Sequence, residues 1–186
     1  CLRRHEVLIR LDAVFHDVGL SPFYHGAEEL FQPIDPAEPS KRFRHETSSA
    51  EIVRRCFADV IANHPANTNY EFRADDVANL LEGKPDTGKA LFWRDLIDGQ
   101  MDADRMDYLR RDSLHAGVSY GQFDFDWLVG NLGCHVQAGR CYLALQHRAL
   151  YAFEDFLISR FHMFLMVYFH YKSVVFDAML AQYFAS

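Results

Sequence analysis

The chain has 186 residues, 49% of them hydrophobic, 15% aromatic and 24% charged, enough to build one well-buried core. Its 19 Lys and Arg against 26 Asp and Glu leave a net charge of −7. That argues against a broad nucleic-acid-binding face, which needs surplus cations, but a few local Arg residues still suffice for a small phosphorylated ligand. The cysteines, Cys1, Cys56, Cys134 and Cys141, show no paired framework and predict half-buried free thiols in a reducing cytoplasm. The alternative for one pair is that Cys134 and Cys141 face each other across a hairpin.

In chain order, residues 2–18 read as a helix, with Leu2, Leu8, Leu11 and Phe15 near helical spacing. It runs into His16-Asp17 and breaks at Gly19 and Pro22. Pro22 opens a short second helix carrying His25, Glu28 and Phe31, and the Pro-dense "QPIDPAEPSKRF" is loop. "HETSSAEIVRRCFADVIANH" reads as one helix, its apolar positions Ile52, Val53, Phe57 and Ile61 recurring with helical period. "ADDVANLLEG" starts acidic and stops at Gly83, as helix polarity prefers. "GKALFWRDLIDG" and "MDADRMDYLRRDSLHAG" are two more helices, each stopped by Gly. "CHVQAGRCYLAL" has two short segments around Ala138-Gly139, which predict a small β-hairpin.

From Arg148 onward the pattern predicts one long amphipathic helix. Arg160, His162, His170 and Lys172 interrupt its apolar run, so it reads as a buried core helix and not as a membrane span. The fold expected is mostly α, a helical bundle with one small β-hairpin, without repeats or linkers. Both ends fall inside helical patterns, so residues 1–186 are read as the core of a longer chain.

Two clusters carry chemistry. His16-Asp17 places one imidazole nitrogen and one carboxylate oxygen side by side at a helix end, a donor pair suited to Mn, Fe, Ni, Zn or, with more oxygens, Mg. The bland alternative is a surface salt link or a cap. In "MDADRMDYLRRD", Asp104, Tyr108 and Asp112 recur every four residues and share one stripe, with Asp102 and Asp107 on other faces. A fully solvated charged helix is the alternative here, but it would expose Met101, Met106, Tyr108 and Leu109 together.

"HDVGLSPFYH", "HETSSAEI" and "DADRMDYLRRDSLHAGVSYG" come in the order found in HD-domain phosphohydrolases, and the chain resembles the dNTP triphosphohydrolase branch of that family over nearly its whole length. The resemblance implies a divalent metal held by His16, Asp17 and Asp104. The family's fourth ligand, an upstream His on a separate helix, has no counterpart in this chain, because His5 lies too close on the same helix. His25 would protonate the leaving alkoxide, with Glu28 orienting its imidazole. His45 and Glu46 match a further active-site pair. "HETSS" is not a zincin motif, since Ser49 stands where a second His is required. Arg105, Arg160 and Tyr168 match residues that contact the triphosphate, and Tyr108 and Asp112 match residues that approach the sugar and phosphates. Leu20 departs from the family, which has a second His there.

The function implied is metal-dependent hydrolysis of a nucleotide, with water attacking the α-phosphorus of a dNTP to give nucleoside and triphosphate. The runners-up are a nucleotide monophosphatase and a nucleotide-sensing or assembly module that keeps the fold with weakened turnover. The expected setting is cytoplasmic and homo-oligomeric, with a small-molecule nucleotide or phosphate ester as substrate and no membrane or extended nucleic acid.

Overall fold

The computed structural model describes residues 2–22, 44–84, 93 and 95–185. The short helix predicted after Pro22, with His25 and Glu28, and most of the helix predicted in "GKALFWRDLIDG" lie outside these residues. The described chain is mostly helical, with eight α-helices and one two-stranded sheet. It divides into two compact units, Cys1–Arg94 with Met179–Ser186, and Asp95–Ala178.

In the first unit, α1 (Leu2–Phe15), α2 (His45–Cys56), α3 (Ala58–Asn63) and α4 (Ala74–Leu81) enclose a core of Ala50, Val53, Ile61, Phe72, Val77, Ala78 and Leu81. Leu8, Leu11 and Phe15 of α1 pack against it, which is why that face of α1 is apolar. The single helix expected over residues 45–64 is instead two. Phe57 breaks it, with φ −115° and ψ 0°, its N–H bonded to the Val53 carbonyl and its ring 4.8 Å from that of Phe15. Packing of Phe57 overrides a periodicity that otherwise runs through. Arg54 ties α2 to α4 through Asp75 (3.0 Å) and Glu82 (2.8 Å). Gly83 closes this segment with φ 64°, as its position in the sequence predicted.

In the second unit, α5 (Ala103–Ala116) starts at the side-chain cap of Asp102 and ends at Gly117, with φ 67°. Next come α6 (Phe125–Gly130), β1 (Leu132–Gln137) and β2 (Arg140–Leu145). The strands pair antiparallel from Leu132↔Leu145 to Gln137↔Arg140. Ala138 and Gly139 have φ of 49° and 75°, the left-handed pair of a tight hairpin turn. The core of this unit is Met106, Leu109, Leu128, Phe156 and Met163.

Two expectations are corrected here. Cys134 and Cys141 are a disulfide and not free thiols. Cys134 pairs with Leu143 and Cys141 with Val136, so the cysteines are diagonal neighbours on one face of the hairpin, within bonding reach. Cysteine usage therefore no longer argues for a reducing compartment. The long C-terminal helix is also broken: α7 (Leu150–Met163) passes into a π-helical turn at Phe164–Tyr168, and α8 (Tyr171–Ala185) begins anew. Phe156, Ser159 and Met163 are buried, but Leu157, Ile158, Phe161, Leu165 and Met166 are exposed, so only one face of this segment is core. No single helix among the described residues is long and apolar enough to cross a membrane.

Candidate metal and phosphate sites

In the first unit, α1 ends at Phe15 and the chain turns tightly, Val18 N–H bonding to the Phe15 carbonyl (3.2 Å) and Leu20 N–H to the Asp17 carbonyl (3.0 Å). His16 and Asp17 ride on this turn. Nδ1 of His16 lies 3.1 Å from the Ala13 carbonyl, which can only accept, so Nδ1 carries the proton. Nε2 lies 3.2 Å from Oδ2 of Asp17, an ion pair where the imidazole is protonated and two donor atoms for a cation where it is neutral. A nitrogen and a carboxylate oxygen so arranged fit a divalent cation.

His45, the first residue of α2, adds to the cluster. Its Nε2 is 3.6 Å from Oδ1 of Asp17, and its Nδ1 is 3.7 Å from Oε2 of Glu46. Asp17 thus stands between two imidazoles. Burial pushes the Glu46 carboxyl up, but its hydrogen bonds from the Arg44 guanidinium and its own backbone N–H, with the nearby charge of His45, outweigh burial and hold it below the ordinary value. His5 stacks on Trp93 with ring centroids 5.3 Å apart. Leu20 is half-buried.

In the second unit, Asp104, Tyr108 and Asp112 are all half-buried along α5, whose opposite side buries Met106, Leu109 and Ser113. The fully solvated helix is excluded. Tyr168 donates its hydroxyl proton to Oδ2 of Asp112 at 2.7 Å, and its ring meets those of Tyr108 (6.0 Å) and Phe164 (5.1 Å) edge to face. Burial, then the Asp112 carboxylate, push the Tyr168 phenol well above its ordinary value, so it stays a neutral donor. The guanidinium of Arg160 lies 5.1 Å from the Phe164 ring centre, and its Nε is buried with no hydrogen-bond partner among the described residues. Leu157, Arg160, Phe161, Phe164, Leu165 and Phe169 line a cavity of about 300 Å³. An unpartnered buried N–H of a cation beside a cavity is costly unless an anion supplies the acceptor.

Two residues escaped the sequence reading. Asp102, expected on another face of the helix, is its cap: it is 1% exposed, accepts from the backbone N–H groups of Arg105 (2.6 Å) and Gly99 (2.8 Å), and pairs with the Arg105 guanidinium. Arg105 is therefore held by a carboxylate in this state. An Asp just before a helical run is a cap signal that was available in the sequence. Ser49, noted only as the residue that rules out a zincin, is fully buried and bonded to the turn at His16–Gly19. No local sequence signal marks that bond.

No family model matches the chain. It is 32% identical over 158 residues to the uncharacterized protein YwfO of Bacillus subtilis, covering 85% of this chain and 32% of that one. Identity to the uncharacterized protein MJ1154 of Methanocaldococcus jannaschii is 27% over 173 residues, or 93% of this chain and 32% of that one. A Dictyostelium discoideum protein named deoxynucleoside triphosphate triphosphohydrolase SAMHD1 homolog is 27% identical over 187 residues, 97% of this chain and 34% of its own length. The crystal structure of a hypothetical protein from Aquifex aeolicus matches with a TM-score of 0.73 and 28% identity, over 95% of this chain and 44% of that chain. The chain spans about a third of the length of these curated relatives. It is thus distantly similar to a dNTP triphosphohydrolase homologue and to proteins without an assigned activity.

Proposed function

We propose that this chain carries the catalytic residues of a metal-dependent HD-type phosphohydrolase that acts on nucleotides, most specifically by splitting a dNTP into nucleoside and triphosphate. The observation that carries the reading is the His16 imidazole nitrogen set 3.2 Å from the Asp17 carboxylate, with His45 on the other side of that carboxylate. The 27% identity to the Dictyostelium protein supports the same chemistry. In this reading His16, Asp17 and Asp104 are ligands of one divalent cation, Mn, Mg, Fe, Ni or Zn, and the upstream His of the family pattern has no match among residues 1–186.

The bound cation would supply Lewis-acid polarisation of a phosphoryl oxygen and a lowered pKa for water. The chain's own residues do the rest. Arg160 and Arg105 neutralise phosphate charge, Arg105 by exchanging Asp102 for the ligand. Tyr168, kept neutral by burial and Asp112, donates a hydrogen bond, and Tyr108 and Asp112 border the sugar. Water attacks the α-phosphorus, the bond from phosphorus to the 5′ oxygen breaks, and His25, oriented by Glu28, gives that oxygen its proton. His45 flanks Asp17 and helps fix its orientation, with Glu46 beside the other ring nitrogen of His45. The reaction is proposed for free nucleotides in the cytoplasm, in a homo-oligomer, with no membrane or nucleic-acid partner.

Leu20 favours a second reading. An apolar side chain where the related enzymes carry a His removes a polar neighbour of the site, which fits a nucleotide-binding module with weakened turnover, or a monophosphatase. Metal content and turnover of Asp104→Ala test the primary reading. Both are expected to be lost from the full-length protein, and retained metal would overturn the ligand assignment.

A further inference from the structure

We infer that Ser49 is a positioning residue for the metal ligands, its hydroxyl locking the turn that carries His16 and Asp17 onto α2. The inference rests on the reading of His16 and Asp17 as ligands. At the end of α1 the backbone leaves helical geometry, and the Leu20 N–H, which would bond to the His16 carbonyl in a continued helix, bonds to the Asp17 carbonyl instead. The His16 carbonyl and the Gly19 N–H are met by a single group. Ser49 Oγ donates to the His16 carbonyl at 2.7 Å and accepts from the Gly19 N–H at 2.8 Å. The hydroxyl uses its donor and an acceptor site at once, and Ser49 is 0% exposed, so no water competes for either.

The approach is too close for any side chain at position 19. A Cβ at Gly19 would stand 2.3 Å from the Ser49 nitrogen and 2.6 Å from the His45 carbonyl oxygen. Gly19 therefore lets the turn lie against the first turns of α2, and Ser49 fixes it there at both ends, with Asp17 between. The helix that supplies His45 to the cluster also sets where His16 and Asp17 stand. Loss of the hydroxyl would free the turn and leave a buried carbonyl and a buried N–H without partners.

The test is Mn²⁺ affinity, measured by calorimetry on the folded, metal-stripped full-length protein. Ser49→Ala is expected to weaken binding on the order of 10- to 100-fold, the range typical for residues that orient metal ligands. Turnover should fall at limiting Mn²⁺ and recover at saturating Mn²⁺, a rescue that general destabilisation does not give. Val53→Ala, in the core of the same helix, serves as the stability control and should keep the wild-type affinity. Ser49→Thr, which retains a hydroxyl, is expected to bind as the wild type does, and provides the reading if the Ala variant does not fold. Wild-type affinity in Ser49→Ala, or a loss in Ser49→Thr equal to that of the Ala variant, overturns the inference alone. Failure of the wild type to bind Mn²⁺, Mg²⁺, Fe²⁺, Ni²⁺ or Zn²⁺ overturns the metal-site reading and the inference with it.

Discussion

Asp102 and Tyr168 each place a polar group in a half-dry setting, and each should respond to a single atom change. The Asp102 carboxylate receives two backbone N–H groups and the Arg105 guanidinium; burial pushes its carboxyl up, and Arg105 counters only part of that. Asp102→Ala removes a helix cap and strands two donors, so urea unfolding should show a loss of about 1–2 kcal/mol. Tyr168→Phe should cost about 1 kcal/mol through its bond to Asp112. The pH signature has a defined sign. Above 10.0, the ordinary value, the unfolded chain releases a phenolic proton that folded Tyr168 keeps, so stability falls as pH rises through that point. Tyr168→Phe should remove this part of the alkaline slope, and an unchanged slope would contradict the assignment.

Between elements, the pairing of Arg54 with Glu82 joins α2 to α4. The Arg54 hydrogen bond, offset in part by burial, holds the Glu82 carboxyl below its ordinary 4.5. A depressed carboxylate stabilises the fold above that value and ceases to as pH falls through its folded pKa. Glu82→Gln should cost about 1–2 kcal/mol at pH 7 and flatten the acid limb of a denaturation series. In the hairpin, Ala138 occupies a left-handed conformation, φ 49°, that suits Asn or Gly better. Ala138→Asn should raise stability by about 0.5–1 kcal/mol, seen as a higher Tm; a lower Tm would show that the turn is not of this type. The hairpin and the ends of α4 and α5 were legible because Gly83, Gly117 and Gly139 carry local backbone signals. The breaks at Phe57 and at Phe164–Tyr168 were not. Neither contains Gly or Pro, and both depend on packing that periodicity does not encode.

For the whole molecule, helical periodicity made the mostly helical fold readable, and the candidate ligands His16, Asp17 and Asp104 were named from the recognisable local strings they stand in. What stayed hidden is tertiary: the Ser49 lock spans 33 residues of sequence to His16, and the Tyr168–Asp112 bond spans 56. The charge balance of −7 left room for a small phosphorylated ligand, the family resemblance pointed to Arg160, and the Arg160 Nε is buried with no hydrogen-bond partner among the described residues. The central claim is water attack at the α-phosphorus of a nucleotide. Its most direct test is hydrolysis of a dNTP by the full-length protein with Mn²⁺ in ¹⁸O-labelled water, with the products resolved by mass spectrometry. The expected products are nucleoside and inorganic triphosphate, with the label in the triphosphate alone. Release of orthophosphate, label in the nucleoside, or no turnover with any of the five metals would contradict it.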